Sequence, residues 1–259
     1  EGSILRDSNL FINGIIGGTF LSFASHGADY MMVQRSLSCS NLSTARKAMI
    51  GSGIFVFIQF SIFLLLGSLL TEYFKIQNFE SLGVSLDYVD SNWNVLKDRE
   101  FPLFINYFLD PGIRGILLVG VLSAAMSTIS SSINSLSSST LRDLLNIKDD
   151  IKLSKTISIF WAFALIFIAS FFDESNNLLL ITGLRIASFT YGILLSLFLL
   201  SLLKIKPKDI YIIFGSICGI ISVFIMQSND ISWTWFILVS TFVTMTISIS
   251  LSLIFNHKR

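Results

Sequence analysis

Apolar residues in this chain come in long runs separated by short polar stretches. The runs at 9–33, 46–71, 112–143, 152–172, 176–203, 209–227 and 232–255 are each of the length, about 20 residues, that crosses a hydrocarbon core. They predict six or seven helices. Between the second and third runs lies a polar segment, 72–100, containing "NFESLGVSLDYVDSNWNVLKDRE". A short amphipathic helix is expected over 101–109, with Pro102 near its first turn, where proline is tolerated. The third run is long: about 30 residues rise roughly 45 Å, more than the core thickness. It is expected to tilt or to project into water, with Arg142 and Asp143 at the wet end.

Composition narrows the class. Of 259 residues, 53% are hydrophobic and 24 are Phe, and only 14% are charged, with a mean hydropathy of +0.73. Soluble domains carry about 25% charge, so this chain cannot coat a globule. The reading is an all-α, polytopic membrane helix bundle of about seven transmembrane helices, a single domain over 1–259, with the lipid bilayer as its first partner. A net charge of +1 gives no reason to expect nucleic acid. Cys39 falls in a short polar loop and Cys218 within an apolar run, and no zinc or redox spacing is present. The chain opens on Glu1 and enters an apolar run almost at once, which suggests a piece of a longer polypeptide.

Basic residues alternate between loops. Arg35, Arg46 and Lys47, then Arg142, Lys148, Lys152 and Lys155, then Lys204, Lys206 and Lys208, then Lys258 and Arg259 occupy one set. The other set holds "FFDESNN" and "QSNDIS", without a basic residue, and the long polar segment. Since Lys and Arg collect on the cytoplasmic side, the first set and the C-terminus are expected in the cytoplasm. The first run then passes from outside to inside.

Residues 120–145, "GVLSAAMSTISSSINSLSSSTLRDLL", raise a question of chemistry, because a spanning helix here spends many positions on hydroxyls. At helical spacing Gly120, Ala124, Ser127, Thr128, Ser131, Asn134, Ser135 and Ser138 make one small, polar stripe. Leu118, Leu122, Ala125, Ile129, Ile133 and Leu136 lie opposite. One reading is close helix packing, with hydroxyls bonding back to the carbonyl four residues earlier. The other is cation ligation. The carbonyl of Ala124 and the hydroxyls of Ser127 and Thr128, at i+3 and i+4, can converge as three neutral oxygens, with further ligands from an unwound second helix.

The segments "FPLFINYFLDPGIRGILLVGVLSAAMSTISSSINSLSSSTLRDLL" (101–145) and "SHGADYMMVQRSLSCSNLSTARKAMIGSG" (25–53) resemble the two signature stretches of the sodium:solute symporter family, in the family's order. The resemblance implies the second half of a five-plus-five inverted-repeat core. The runs at 9–33, 46–71, 112–143, 152–172 and 176–203 would be core helices six to ten, and 204–259 would hold two peripheral helices. It implies sodium as the coupling ion, held by Ala124, Ser127 and Thr128 together with the first core helix, which would belong to missing N-terminal helices of the same polypeptide. It implies a small-molecule solute near Ser22, Phe23, Ser25 and His26. In sugar-carrying relatives an aromatic gate stands where Ser25 is and a sugar-contacting lysine where Val56 is, so a sugar is disfavoured.

The first run also holds Gly14, Gly17, Gly18 and Gly27, each lowering helix propensity by about 1 kcal/mol against Ala. It is expected either to break near its centre, freeing backbone groups for substrate, or to pack tightly. His26 is a relay, a solute ligand or a hydrogen-bonded packing residue. Asp29 and Arg35 mark the cytoplasmic end, and Arg185 snorkels outward or reaches an anionic solute. The function expected is sodium-coupled uptake of a small organic solute or anion across the plasma or inner membrane. The alternatives are a transporter-like sensory domain and a proton-coupled carrier. No G-x-S-x-G or His–Asp spacing suggests an enzyme.

Overall fold

The computed structural model describes residues 4–96, 98–147, 150–171 and 179–256. Nine α-helices are seen among them: α1 (Phe11–Gly27), α2 (Tyr30–Leu37), α3 (Leu42–Lys75), α4 (Glu100–Phe108), α5 (Pro111–Ser139), α6 (Ile151–Ala169), α7 (Leu179–Leu202), α8 (Asp209–Ser228) and α9 (Phe236–Asn256). Six helical segments among the described residues are long and apolar enough to cross a membrane. Lys148, Lys258, Arg259 and all of "FFDESNN" after Phe171 lie outside the described residues.

The first apolar run differs from expectation. It is one 17-residue helix, α1, followed by a break at Ala28–Asp29 and the short α2. At about 26 Å, α1 alone falls short of a core thickness of roughly 30 Å. The break lies at its C-terminal end and not at its centre. The amides it frees are both used, since Ala28 N and Asp29 N donate to Ala24 O at 2.9 and 3.1 Å. Elsewhere the ends follow local chemistry. Asn41 caps α3, accepting from Thr44 N at 2.8 Å, and Asp150 caps α6, accepting from Leu153 N at 3.0 Å. Pro111 opens α5. A five-residue π-helical turn, Thr140–Leu144, extends α5 at its far end.

The chain divides into two compact units, Glu1–Arg35 with Leu180–Arg259, and Ser36–Leu179. In the first unit, α9 packs on α8 and α7 through small residues. A Cβ on Gly215 would stand 2.7 Å from Thr244 O, one on Gly219 would overlap Thr244 Oγ1, and one on Gly192 would stand 2.6 Å from Ser240 Cβ. Glycine is what permits this approach. The facing hydroxyls cross the gap: Thr241 Oγ1 donates to Gly192 O at 3.0 Å as well as to Ile237 O in its own helix, and Ser248 Oγ donates to Tyr211 O at 3.3 Å. Near the start of the chain, Gly17 leaves room for Thr234, whose Cβ would be 2.7 Å away from an added Cβ. Asn13, fully buried, donates to Ile4 O at 2.5 Å and to Asp7 O at 2.6 Å.

In the second unit the densest apolar cluster is formed where the polar segment folds over the end of α3 and onto α4. Leu70, Phe74, Phe79, Val84, Val89 and Leu103 are buried there, ringed by Tyr88, Trp93, Tyr107 and Phe108. Water outside the bilayer supplies the driving force that lipid cannot. Ser85 N donates to Tyr107 OH at 3.0 Å and Asn106 Nδ2 to Tyr88 OH at 3.1 Å. The tip is a turn on Asp90, whose Oδ1 accepts from the amides of Asn92 and Asn94 at 2.8 and 2.9 Å. These bonds, Asn94's first, hold its carboxyl below the usual carboxylate range.

Candidate functional site

Two groups of residues were expected to carry function, and they fall in different units, so each is described by itself. On α5, Ala124, Ser127 and Thr128 share one face of an unbroken helical stretch, and every residue from 121 to 130 is exposed. Ala and Ser keep the face small, and Leu118 and Leu122 project from other sides. Thr128 Oγ1 donates to Ala124 O at 3.1 Å. One turn further, Ser131 Oγ donates to Ser127 O at 2.9 Å and Ser132 Oγ to Thr128 O at 3.0 Å. Such back-bonding satisfies a hydroxyl proton within its own helix. For Thr128 it leaves the lone pairs of the hydroxyl oxygen able to accept a further partner. The Ala124 carbonyl already accepts its helical bond and the Thr128 hydroxyl. For it to ligate an ion as well, Thr128 must turn its proton elsewhere.

The stripe does not run evenly to the end of the helix. The one fully buried hydroxyl of α5 is Ser137, which the stripe omits. Ser137 Oγ donates to Ser154 O at 3.1 Å and accepts from Ser158 Oγ at 3.1 Å. One turn on, Trp161 Nε1 donates to Thr140 Oγ1 at 3.0 Å. This seam binds α5 to α6. At 100° per residue Ser137 sits about 80° around the helix from Ser127, so the seam with α6 and the Ala124–Thr128 face are separate surfaces. Only the pairing with α6 distinguishes Ser137 from its neighbours, and no signal within 120–145 singles it out.

On α1, Ser22 and Phe23 are exposed, and Ser25 and His26 are half-buried. Three of the four form a local knot. Ser25 Oγ donates to Ser22 O at 3.2 Å, and His26 Nδ1 lies 2.9 Å from Ser25 Oγ and 3.1 Å from Ser22 O. With its proton on Nε2 the ring accepts from Ser25; with it on Nδ1 the ring donates to Ser22. Phe23 meets Phe198 of α7 edge-on, centroids 6.3 Å apart. Ala24, on the inner side, is fully buried against Leu195 and Ile237. Asp29, at the break, accepts from Met31 N at 2.9 Å through Oδ1 and from Tyr191 OH at 2.7 Å through Oδ2. Its partner is thus 162 positions away, beyond the reach of local pattern. Arg185 is exposed on α7. Among the described residues no three His, Cys, Asp or Glu side chains converge as a metal site. The candidate ligands on α5 are a carbonyl and two hydroxyls.

Comparison with known proteins adds to this geometry. The profile of the sodium:solute symporter family matches residues 7–219. Sodium-coupled monocarboxylate transporter 1 of Mus musculus is 31% identical over 133 residues, which are 51% of this chain and 20% of that protein. A solved structure of a Na+-coupled sialic acid symporter, in a substrate-bound outward-open state, is similar in fold. Its TM-score is 0.75 at 20% identity, covering 98% of this chain and 52% of that one. The chain thus spans about a fifth of the curated relative and about half of the solved one. With its six apolar spans it is a multi-pass membrane protein.

Proposed function

Because the chain belongs to the sodium:solute symporter family, we propose that it forms part of a carrier that couples downhill sodium entry to uptake of a small organic anion. Transport proceeds by alternating access across the cell membrane, with the basic loops and C-terminus on the cytoplasmic side. Ala124, Ser127 and Thr128 supply neutral oxygens to sodium, and Ser22, Phe23, Ser25 and His26 line the path of the solute. The observation that carries this reading is the exposed turn of α5, in which one carbonyl and two hydroxyls lie on one face. Neutral ligands suit an ion that has to leave again, because they strip its water without trapping it in a strong field. Both similar transporters bear names of organic acids, monocarboxylate and sialic acid. That supports an anion over a neutral sugar, as do Ser25 and Val56.

The coupling needs only a difference in sodium affinity between the outward-open and inward-open states. The test is uptake by proteoliposomes holding the complete transporter that carries this chain, with radiolabelled lactate and sialic acid as first probes. Ser127→Ala and Thr128→Ala are each expected to raise the sodium concentration for half-maximal uptake about tenfold, the scale of one lost contact to a charged group. Unchanged sodium dependence in both variants removes the ligand assignment. Uptake driven by a proton gradient without sodium removes the coupling ion.

A further inference from the structure

The end of α1 is held by a single carboxylate that does two jobs. Asp29 Oδ1 caps α2 through Met31 N, and Asp29 Oδ2 receives the hydroxyl of Tyr191 from α7. Capping alone does not require aspartate, since Asn or Ser caps a helix equally well. What sets the carboxylate apart from a serine cap is its second oxygen, since a single short hydroxyl cannot serve both donors. Tyr191 belongs to a ladder on α7. Tyr191, Leu195 and Phe198, at i, i+4 and i+7, all lie against the last turns of α1. Leu195 and Phe198 make apolar contact with Ala24 and Phe23, and Gly27 leaves space beside Phe23 and Phe198, whose atoms would be 3.5 and 3.8 Å from an added Cβ. Apolar rungs can slide along or turn about a helix at little cost. The Tyr191 hydroxyl is the rung that fixes register, because a hydrogen bond to a charged acceptor has a narrow geometry.

We infer that Asp29 and Tyr191 are positioning residues for the turn 22–26. They set where α1 ends and how Ser22, Ser25 and His26 are presented, without themselves touching the solute. This rests on the solute path proposed above for α1. It predicts a split in transport constants. Loss of the pair raises the half-saturating solute concentration and leaves that for sodium unchanged, because the proposed sodium ligands stand on α5. It also predicts that Asp29→Ser resembles Tyr191→Phe, since serine keeps the cap and is too short to reach the phenol as well.

The test begins with a readout that needs no transport. In the complete transporter cleared of its native cysteines, Cys39→Ser and Cys218→Ala among the changes, a cysteine is placed at the break by Ala28→Cys and its rate of modification by a maleimide is measured. Tyr191→Phe is expected to speed modification about tenfold, as loss of one hydrogen bond to a charged group allows. Asp29→Ser is expected to give a similar rise, and the double variant no more than either alone, as for two members of one interaction. Modification at the parent rate in Tyr191→Phe, or effects that multiply in the double variant, overturns the inference. If Tyr191→Phe does not accumulate, Asp29→Ser decides by the same rate. Lactate and sialic acid uptake then reads the split: a rise in sodium half-saturation equal to that for solute also overturns it. Should neither probe be carried by the parent, the organic-anion reading of the solute is what has failed, and the labelling result for the pair stands apart from it.

Discussion

α5 and α9 are both apolar helices carrying many hydroxyls, yet the fold treats them in opposite ways. On α9, Ser240, Thr241, Thr244, Ser248 and Ser252 are buried, and two of them bond across to other helices. On α5, residues 121–130 are exposed and the hydroxyls of Thr128, Ser131 and Ser132 bond back to their own backbone. The difference lies in the partners. α9 faces Gly192, Gly215 and Gly219, whose missing side chains let backbones meet. α6, the neighbour of α5, has no glycine, and it touches α5 through the seam at Ser137 and Thr140. A stripe of small residues is thus a packing surface where glycines stand opposite it. On α5, where α6 brings no glycine, the Thr128 hydroxyl turns back to its own helix.

The largest expected effect tests the packing half of that contrast. Gly215→Leu forces a side chain into the space of Thr244 and Ser248, and overpacking of this kind costs about 1–3 kcal/mol or more. We expect loss of the folded protein from detergent extracts, followed by size-exclusion chromatography. A variant with normal yield and elution would show that the α8–α9 contact is loose. Next in size is the roughly tenfold rise in sodium half-saturation for Ser127→Ala or Thr128→Ala, and the contrast requires that neither loses stability. Without sodium their melting temperatures should match the parent, since the Thr128 hydroxyl bonds within its own helix and loss of such a bond stays within about 0.5 kcal/mol. A large drop in melting temperature would make that face a packing surface after all. Smaller still is Thr241→Val, which removes one interhelical bond from the α7–α9 contact. About 0.6 kcal/mol of stability should be lost, with sodium half-saturation unmoved. Ser137→Ala should behave like Thr241→Val, because its hydroxyl serves the α5–α6 seam. A change in sodium half-saturation with Ser137→Ala would blur the two surfaces of α5.

Much of the architecture was legible along the chain, for stated reasons. Six of the seven apolar runs appear as long helices with ends within a few residues of those expected, because run length against bilayer thickness is a strong constraint. Pro102 lies in the first turn of α4 and Pro111 opens α5, as the loss of an amide donor requires. The first run was read less well. Four glycines drew attention to its centre, whereas the chain breaks at Ala28–Asp29, where a polar residue can cap a new helix and find a distant hydroxyl. The pairing of Asp29 with Tyr191 has no local signature. Nor does the burial of Asn13, whose amide closes on Ile4 O and Asp7 O.

What the sequence determined alone was what can be decided residue by residue against a bilayer: which segments are long and apolar enough to span, and which oxygens share a helical face. Spacing of 3.6 residues and a fixed core thickness suffice for that. What only the tertiary structure decided was which of two chemically similar hydroxyl stripes is buried and which carboxylate is tied to which phenol. Those outcomes depend on the register of a second helix, through contacts that fail within an ångström or two, and register between distant segments is not written in the period of either one.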